Sequence, residues 1–374
     1  MLDVDNALKA VIALEASDLH LKVPAQPTIR LHGKLQPLEG TEPLDPEDTE
    51  MILRHMLKED KLEEFKAENE VDFAYSIPGL GRFRVNAFLQ RGSVSLVCRA
   101  IPAEIKTIEE LLLPPVLSEI ADEERGIILL TGTTGSGKST TLAAIIDQIN
   151  SRYAKHIVTI EDPVEYLHRD KKSIINQREV GDDTATFGRA LKRVLRQDPD
   201  VILIGEMRDE ETVSTALSAA ETGHLVLSTI HTVDAAESVN RIIDFFPIEE
   251  QKQVRAMLAG TLKGVVSQRL VPRPDGHGRV ATCEVLRMTG RVRDMIMNPD
   301  ETGNLPKAIE EGAYYGMQSF DQALLAHVQA GRVSMEDAIK FATKPHDFKL
   351  LVSSDGQRST SIESVLTESE NGSA

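Results

Sequence analysis

The chain has 374 residues, 41% apolar and 27% charged, ordinary values for a folded protein and enough for two to three domains at roughly 150 residues each. Its 42 Lys+Arg against 59 Asp+Glu leave a formal net charge of -17, a long-range repulsion that argues against nucleic acid as a partner, and the composition excludes collagen, coiled coil and wholesale disorder. The two cysteines, Cys98 and Cys283, are too few for a disulfide framework or a cysteine-rich zinc site, which points to a reducing compartment.

No apolar run approaches the roughly 20 residues a spanning helix needs, and the opening MLDVDNALKA is acidic at once, unlike a secretory signal. Any membrane association is therefore expected to be peripheral, through a partner.

Along the chain, Val4, Leu8, Val11, Ile12 and Leu14 recur at helical spacing. The alternating stretch from Leu19 to Leu38, broken at Pro24, Pro27 and Gly33, predicts short strands joined by tight turns. One helix is expected from about Pro46 to Ala67, followed by three more alternating segments up to about residue 100. Residues 1–100 thus read as a small α+β domain with an antiparallel sheet. A proline-bearing linker is expected over 101–122. From 123 to 350 the pattern becomes strand, glycine loop, helix, strand: GIILLTG, TTGSGKSTTLAAIIDQINSR, HIVTIEDP, VILIGE, a helix over Glu210 to Glu221, and HLVLSTI. Apolar strands separated by helices predict an α/β fold with a mostly parallel sheet covered on both faces. After Pro247 the reading is mainly helical, including EEQKQVRAMLAGTLKGVVSQRL, RVRDMIM, FDQALLAHVQAG and SMEDAIKFA. The polar tail over 351–374 is expected to be disordered.

The segment Gly132, Thr133, Thr134, Gly135, Ser136, Gly137, Lys138, Ser139 matches G-x-x-x-x-G-K-[ST], directly after a strand and at the start of a helix, with Thr140 next in line. Its glycines let successive backbone N–H groups surround a phosphate, and the helix terminus adds partial positive charge. Lys138 is expected on the outer phosphates of ATP and the Ser139 hydroxyl on Mg2+. A phosphate cradle hydrolyses nothing without an acid at a neighbouring strand end. VILIGE offers Glu206, with Gly205 where a strand-terminal Asp is usual, and HIVTIEDP offers Glu161 and Asp162. Glu206 can orient or deprotonate the attacking water, while Glu161 can hold Mg2+ or its waters or share the base role. The competing reading of each is a solvated loop charge. His224 and His231 bracket HLVLSTI. Their odd separation argues against a joint metal site and leaves a γ-phosphate sensor or satisfied structural histidines. Arg82, Arg84, Arg91 and Arg99 cluster in the first domain as candidate fingers across a domain or subunit boundary, against a wet sheet face.

Taken together, ASDLHL, GRFRVNAFLQRG, TGTTGSGKST, TIEDPVE, LRQDPDVILIGEMRD, ETGHLVLSTIHT and YGMQSFDQAL resemble the ATPases of type IV pili and type II secretion, most closely their pilus-retraction (twitching-motility) branch. The resemblance runs from about residue 3 to 350. It implies a RecA-like P-loop NTPase core, an N-terminal PAS-like domain and C-terminal helices, assembled as a homohexamer with nucleotide at subunit boundaries. It further implies a cytoplasmic motor driving an inner-membrane pilus platform protein, with a paralogous retraction ATPase as a further partner. Carried over, Glu206 is the catalytic glutamate, Glu161 the aspartate-box acid, His224 and His231 the histidine-box pair, and Arg82, Arg84 and Arg91 the arginines that approach the phosphates. The chain has no C-x-x-C and so lacks the zinc insert usual in the assembly enzymes. It also departs from the retraction branch, with Met297 in GRVRDMIMNP standing where a basic residue is usual. An assembly or secretion ATPase without the insert, and a nucleotide-binding regulator that does not turn over, are the alternative readings.

Overall fold

A computed structural model describes residues 2–102, 104–276 and 278–352; the tail from 353 on lies outside the described residues. The chain divides into two compact units. One is residues 1–104 with 165–167, and the other 105–164 with 168 onward.

In the first unit, helix α1 (Val4–Ala13) starts on the Asp3 side chain, which accepts from the Asn6 N–H, and buries Val4, Ala7, Leu8 and Val11 along one stripe. Strands β1 (Asp18–Leu21), β2 (Thr28–Leu31) and β3 (Lys34–Pro37) precede α2 (Pro46–Met56) and α3 (Glu59–Glu68). The single helix expected there is two. Leu57 closes α2 in an extended conformation. The reason is geometric: at 100° per residue, Phe65 would lie about 180° around a continuous helix from Met56. Both are buried, and the break lets both face the core. Strands β4 (Glu70–Ile77), β5 (Gly81–Gln90) and β6 (Ser93–Ala100) complete a six-stranded sheet of order β3-β2-β1-β6-β5-β4, antiparallel throughout.

The second unit begins before its first strand. Ile108, Leu113 and, from α4 (Val116–Ala121), Val116, Leu117 and Ile120 are buried in its core. The segment expected as a linker is therefore packed, because its leucines and isoleucines find an apolar sheet face. Strands β7 (Gly126–Thr131), β8 (His156–Glu161), β9 (Ile174–Glu179), β10 (Val201–Ile204) and β11 (Leu225–Ile230) alternate with α5 (Lys138–Arg152), α6 (Phe187–Val194), α7 (Glu210–Glu221) and α8 (Ala235–Asp244). After α9 (Gln251–Thr261) come β12 (Leu262–Pro272) and β13 (Arg279–Arg287), then α10 (Gly290–Met297), α11 (Leu305–Glu310), α12 (Phe320–Gln329) and α13 (Met335–Phe341). The sheet order is β13-β12-β7-β11-β10-β8-β9, parallel except for β13 at the edge. Period-two alternation divides its side chains between two cores. Ile127 and Leu129 pack with Val158, Ile202 and Val226, whereas Ile128 and Leu130 pack with Ile157, Leu203 and Leu227. Burial of each such side chain contributes about 1.5–3 kcal/mol. This is the RecA-like core, with helices on both faces.

The β12–β13 hairpin corrects the helical reading of GTLKGVVSQRL. It also buries an acid. Glu284 on β13 is 7% exposed, and its Oε1 accepts from the Ala235 N–H at 2.8 Å and the Ser267 hydroxyl at 3.5 Å. Burial pushes its carboxyl up to about 7, Asp234 adds to the rise, and the Ala235 N–H, Arg269 and Ser267 oppose it. The folded chain therefore holds the Glu284 proton more tightly than the unfolded chain. The stability this contributes is complete below about pH 4.5 and is lost as pH rises through 7. Glu284→Gln is expected to flatten that decline and to gain about 1–3 kcal/mol above pH 7. Urea unfolding at pH 5 to 8 checks this, and parallel curves for the two chains would rule it out.

Candidate functional site

The phosphate loop joins β7 to α5 at the carboxyl end of the parallel sheet, the end at which open α/β folds bind ligands. Gly132, Gly135 and Gly137 have φ of 142°, 77° and 91°, a region closed to most side chains. At Gly132 a Cβ would also lie 2.5 Å from the Gln268 carbonyl oxygen and 2.6 Å from Ser136 Oγ. Thr133, Thr134 and Gly135 are exposed at the tip, Ser136 is buried, and Ser139 and Thr140 are half-buried at the start of α5. Lys138 is 8% exposed, and its ammonium donates to the carbonyls of Gly132 at 2.7 Å and Thr133 at 3.0 Å. Among the described residues the buried Ser136 hydroxyl has no hydrogen-bond partner, as suits a loop built around an anion's oxygens.

Two acids stand at the ends of neighbouring strands. Glu206 follows β10 by two residues and is 9% exposed; its Oε2 lies 3.2 Å from His231 Nε2, and its Oε1 pairs with Arg208. Glu161 ends β8, and its Oε1 accepts from the Thr159 hydroxyl at 2.6 Å and the Gln177 amide at 3.2 Å. Gly205 is explained by crowding: a Cβ there would meet Glu161 Cα and the Ile160 carbonyl oxygen, each at 3.3 Å. An Asp at 205 would require β8 to give by a few tenths of an ångström.

The two histidines separate. Leu225 of β11 pairs with Gly126 and Ile230 with Thr131, so His231 lies at the loop end of the sheet and His224 at the other. Along the strand the two ends are about 20 Å apart at 3.3 Å per residue. His224 Nδ1 is 2.9 Å from the Ala219 carbonyl oxygen, a local contact that ties β11 to the end of α7. Within this chain, then, the structure brings together Glu206 and His231 and places His224 elsewhere. In the first unit, Arg82 and Arg84 share the face of β5 opposite the fully buried Phe83 and Val85. Arg91, exposed, sits with Gly92 at the tip of the β5–β6 hairpin, both at positive φ, as a two-residue hairpin turn requires.

Sequence reasoning missed Arg208, Thr159 and Gln177, the side chains that orient the two acids. For Arg208 and Thr159 the signal available was nearness in sequence, two residues after Glu206 and two before Glu161; Gln177, 16 residues from Glu161 on β9, gave none. Among the described residues no group of three or more His, Cys, Asp or Glu could hold a metal ion. The oxygen donors of Ser139, Glu161 and Glu206 suit a hard cation such as Mg2+ that shares its coordination with substrate phosphates, rather than one caged by protein alone.

The model for type II/IV secretion system proteins matches residues 2–340. The chain belongs to that family. It is 42% identical over 347 residues to the type IV pilus retractation ATPase PilT of Pseudomonas aeruginosa, covering 93% of this chain and 100% of the relative. It is 41% identical over 367 residues to the type IV pilus ATPase PilU of the same organism, covering 98% and 96%. Among solved structures, the pilus retraction motor PilT with bound ADP superimposes with a TM-score of 0.86 at 43% identity, over 93% of this chain and 99% of that one. Family membership bears out the resemblance that the motifs carried, and the RecA-like core with terminal extensions is the fold expected.

Proposed function

We propose that this secretion-family ATPase powers type IV pilus retraction, hydrolysing ATP and passing the resulting domain motion to a membrane-embedded pilus platform protein. The observation that carries the reading is the convergence, at one end of the sheet, of the phosphate loop, Glu206 and His231, in a chain alike over almost its whole length to pilus retraction ATPases. Gly132, Thr133, Thr134, Gly135, Ser136, Gly137, Lys138, Ser139 and Thr140 bind the phosphates through loop amides and the Lys138 ammonium. Ser139, Glu161 and Glu206 are the residues that would hold Mg2+. Bound Mg2+ supplies positive charge against the phosphate oxygens. Glu206 orients the attacking water and accepts its proton, its carboxylate aimed by His231 and Arg208. In a homohexamer, Arg82, Arg84 and Arg91 are the arginines that approach the phosphates at a subunit boundary, and His224 acts as a strut at the far end of β11. Among the described residues no helix is long and apolar enough to cross a membrane, in keeping with a peripheral motor on the cytoplasmic side. A paralogous retraction ATPase is a further partner.

The test has two arms. Purified full chain with Mg2+ is expected to show saturable ATP turnover at roughly 1–100 per second or slower. Cells deleted for it are expected to display pili that extend and fail to retract. Absence of turnover from folded, nucleotide-bound protein would sink the motor, and loss of the pili themselves would reassign it to assembly.

A further inference from the structure

The phosphate loop is braced from behind by a side chain more than a hundred residues away in sequence. Gln268 lies on β12, which runs parallel to β7 with Ser267 beside Thr131, so Gln268 is placed against the first residues of the loop. It is 3% exposed. Its Nε2 donates to the Ser136 carbonyl oxygen at 2.8 Å, and its Oε1 accepts from the Thr141 hydroxyl at 2.8 Å. The orientation of the amide is forced. A carbonyl oxygen only accepts, so the nitrogen must face Ser136, and the remaining oxygen then receives the Thr141 proton.

Two glycines of the motif are fitted to this residue. A Cβ on Gly137 would lie 2.6 Å from Gln268 Nε2, and a Cβ on Gly132 2.5 Å from the Gln268 carbonyl oxygen. The peptide between Ser136 and Gly137 is planar, with its N–H opposite its C=O. Anchoring the Ser136 carbonyl on β12 therefore turns the Gly137 N–H away from β12 and into the loop, where backbone donors converge on phosphate.

We propose that Gln268 is a positioning residue for nucleotide binding: held by Thr141, its amide fixes the Ser136–Gly137 peptide so that the loop is shaped for phosphate before nucleotide arrives. This rests on the reading that the loop binds nucleotide phosphates. Gln268 carries no charge and touches backbone and Thr141, so it acts on ground state and transition state alike. Its loss should weaken ATP and ADP binding by the same factor and leave turnover at saturation largely intact.

The test measures ATP and ADP Kd, KM and kcat for the full chain carrying Gln268→Met, which keeps the length and buried volume and removes both bonds. The expected result is a rise of about tenfold in both Kd values and in KM, with kcat within about twofold. Gln268→Glu, which accepts from Thr141 and as a carboxylate cannot donate to Ser136, should fail to restore affinity. Unchanged Kd values in Gln268→Met, or a kcat that falls while KM holds, would overturn the proposal. Should Gln268→Met not fold, Thr141→Val reads the same idea, since it leaves Gln268 in place and removes the hydroxyl that orients it. A Kd raised several-fold then supports the proposal and an unaltered one overturns it. Lys138→Ala, run alongside, separates the two levels. If it binds ATP normally, the loop is not the nucleotide site; if it loses binding while Gln268→Met does not, the loop reading stands and the role of Gln268 falls.

Discussion

Glu206→Gln is expected to bind ATP about as tightly as the native chain and to hydrolyse it at least 100-fold more slowly. The substitution preserves shape and one oxygen, so Arg208 can keep its acceptor while the new amide NH2 takes the place of the oxygen that faces His231. It removes the negative charge and the ability to take a proton from water. General-base assistance of this kind contributes about 10²–10⁴ in rate, which sets the size of the effect. On the proposed reading binding is spared, because the loop and Lys138, which follow β7 rather than β10, hold the phosphates. The measurement is a fluorescent-nucleotide titration beside a phosphate-release assay. Hydrolysis at the native rate would transfer the base role to Glu161, and Glu161→Gln in the same assay would show it. An intermediate loss of about tenfold would mean that both acids share the water.

The phosphate loop was legible in the sequence because its chemistry is contiguous: glycines, lysine and serine at fixed spacing between a strand and a helix. Glu206 and Glu161 were legible for a related reason, since an acid closing an apolar run in an α/β pattern must fall at a strand's carboxyl end. His224 shows where local reading runs out. Its distance in sequence from His231 is short, yet a whole buried strand lies between them, and strand direction sends the two to opposite ends of the sheet. The β12–β13 hairpin failed for a different reason. Val254, Leu258, Leu262, Val265 and Val266 keep a helical period across the junction, so the pattern alone extends α9 too far. What ends the helix is Leu262, already extended at ψ 131°, and what makes the strand is a run buried on both faces from Gly264 to Gln268. Gly264 had no local meaning either. A Cβ there would lie 3.0 Å from the Leu286 carbonyl oxygen on the partner strand, a constraint written in the fold and not in neighbouring residues.

Lys138→Ala is expected to lower ATP and ADP affinity by at least 100-fold and to reduce hydrolysis below detection, with little change in the stability of the nucleotide-free chain. The balance of energies explains the contrast. Lys138 is 8% exposed and its ammonium donates to the Gly132 and Thr133 carbonyls among its partners, each such charge-assisted bond contributing about 1.5–3 kcal/mol. Against that stands the cost of burying a cation, several kcal/mol, so deleting both nearly cancels. Nucleotide changes the sum. A polyphosphate presents full negative charge where carbonyl oxygens present partial charge, and it draws the ammonium from the Gly132 and Thr133 oxygens onto its own. Lysine thus contributes little to the fold and much to the ligand. Thermal unfolding with and without saturating Mg-ATP separates these terms. The native chain should melt higher with nucleotide, by an amount that follows RT ln(1 + [L]/Kd), whereas Lys138→Ala should melt near the nucleotide-free native value in both conditions. If the variant were instead destabilised without nucleotide and still raised by it, the lysine would be a structural strut of the loop. The affinity would then have to come from the backbone amides and the start of α5 alone.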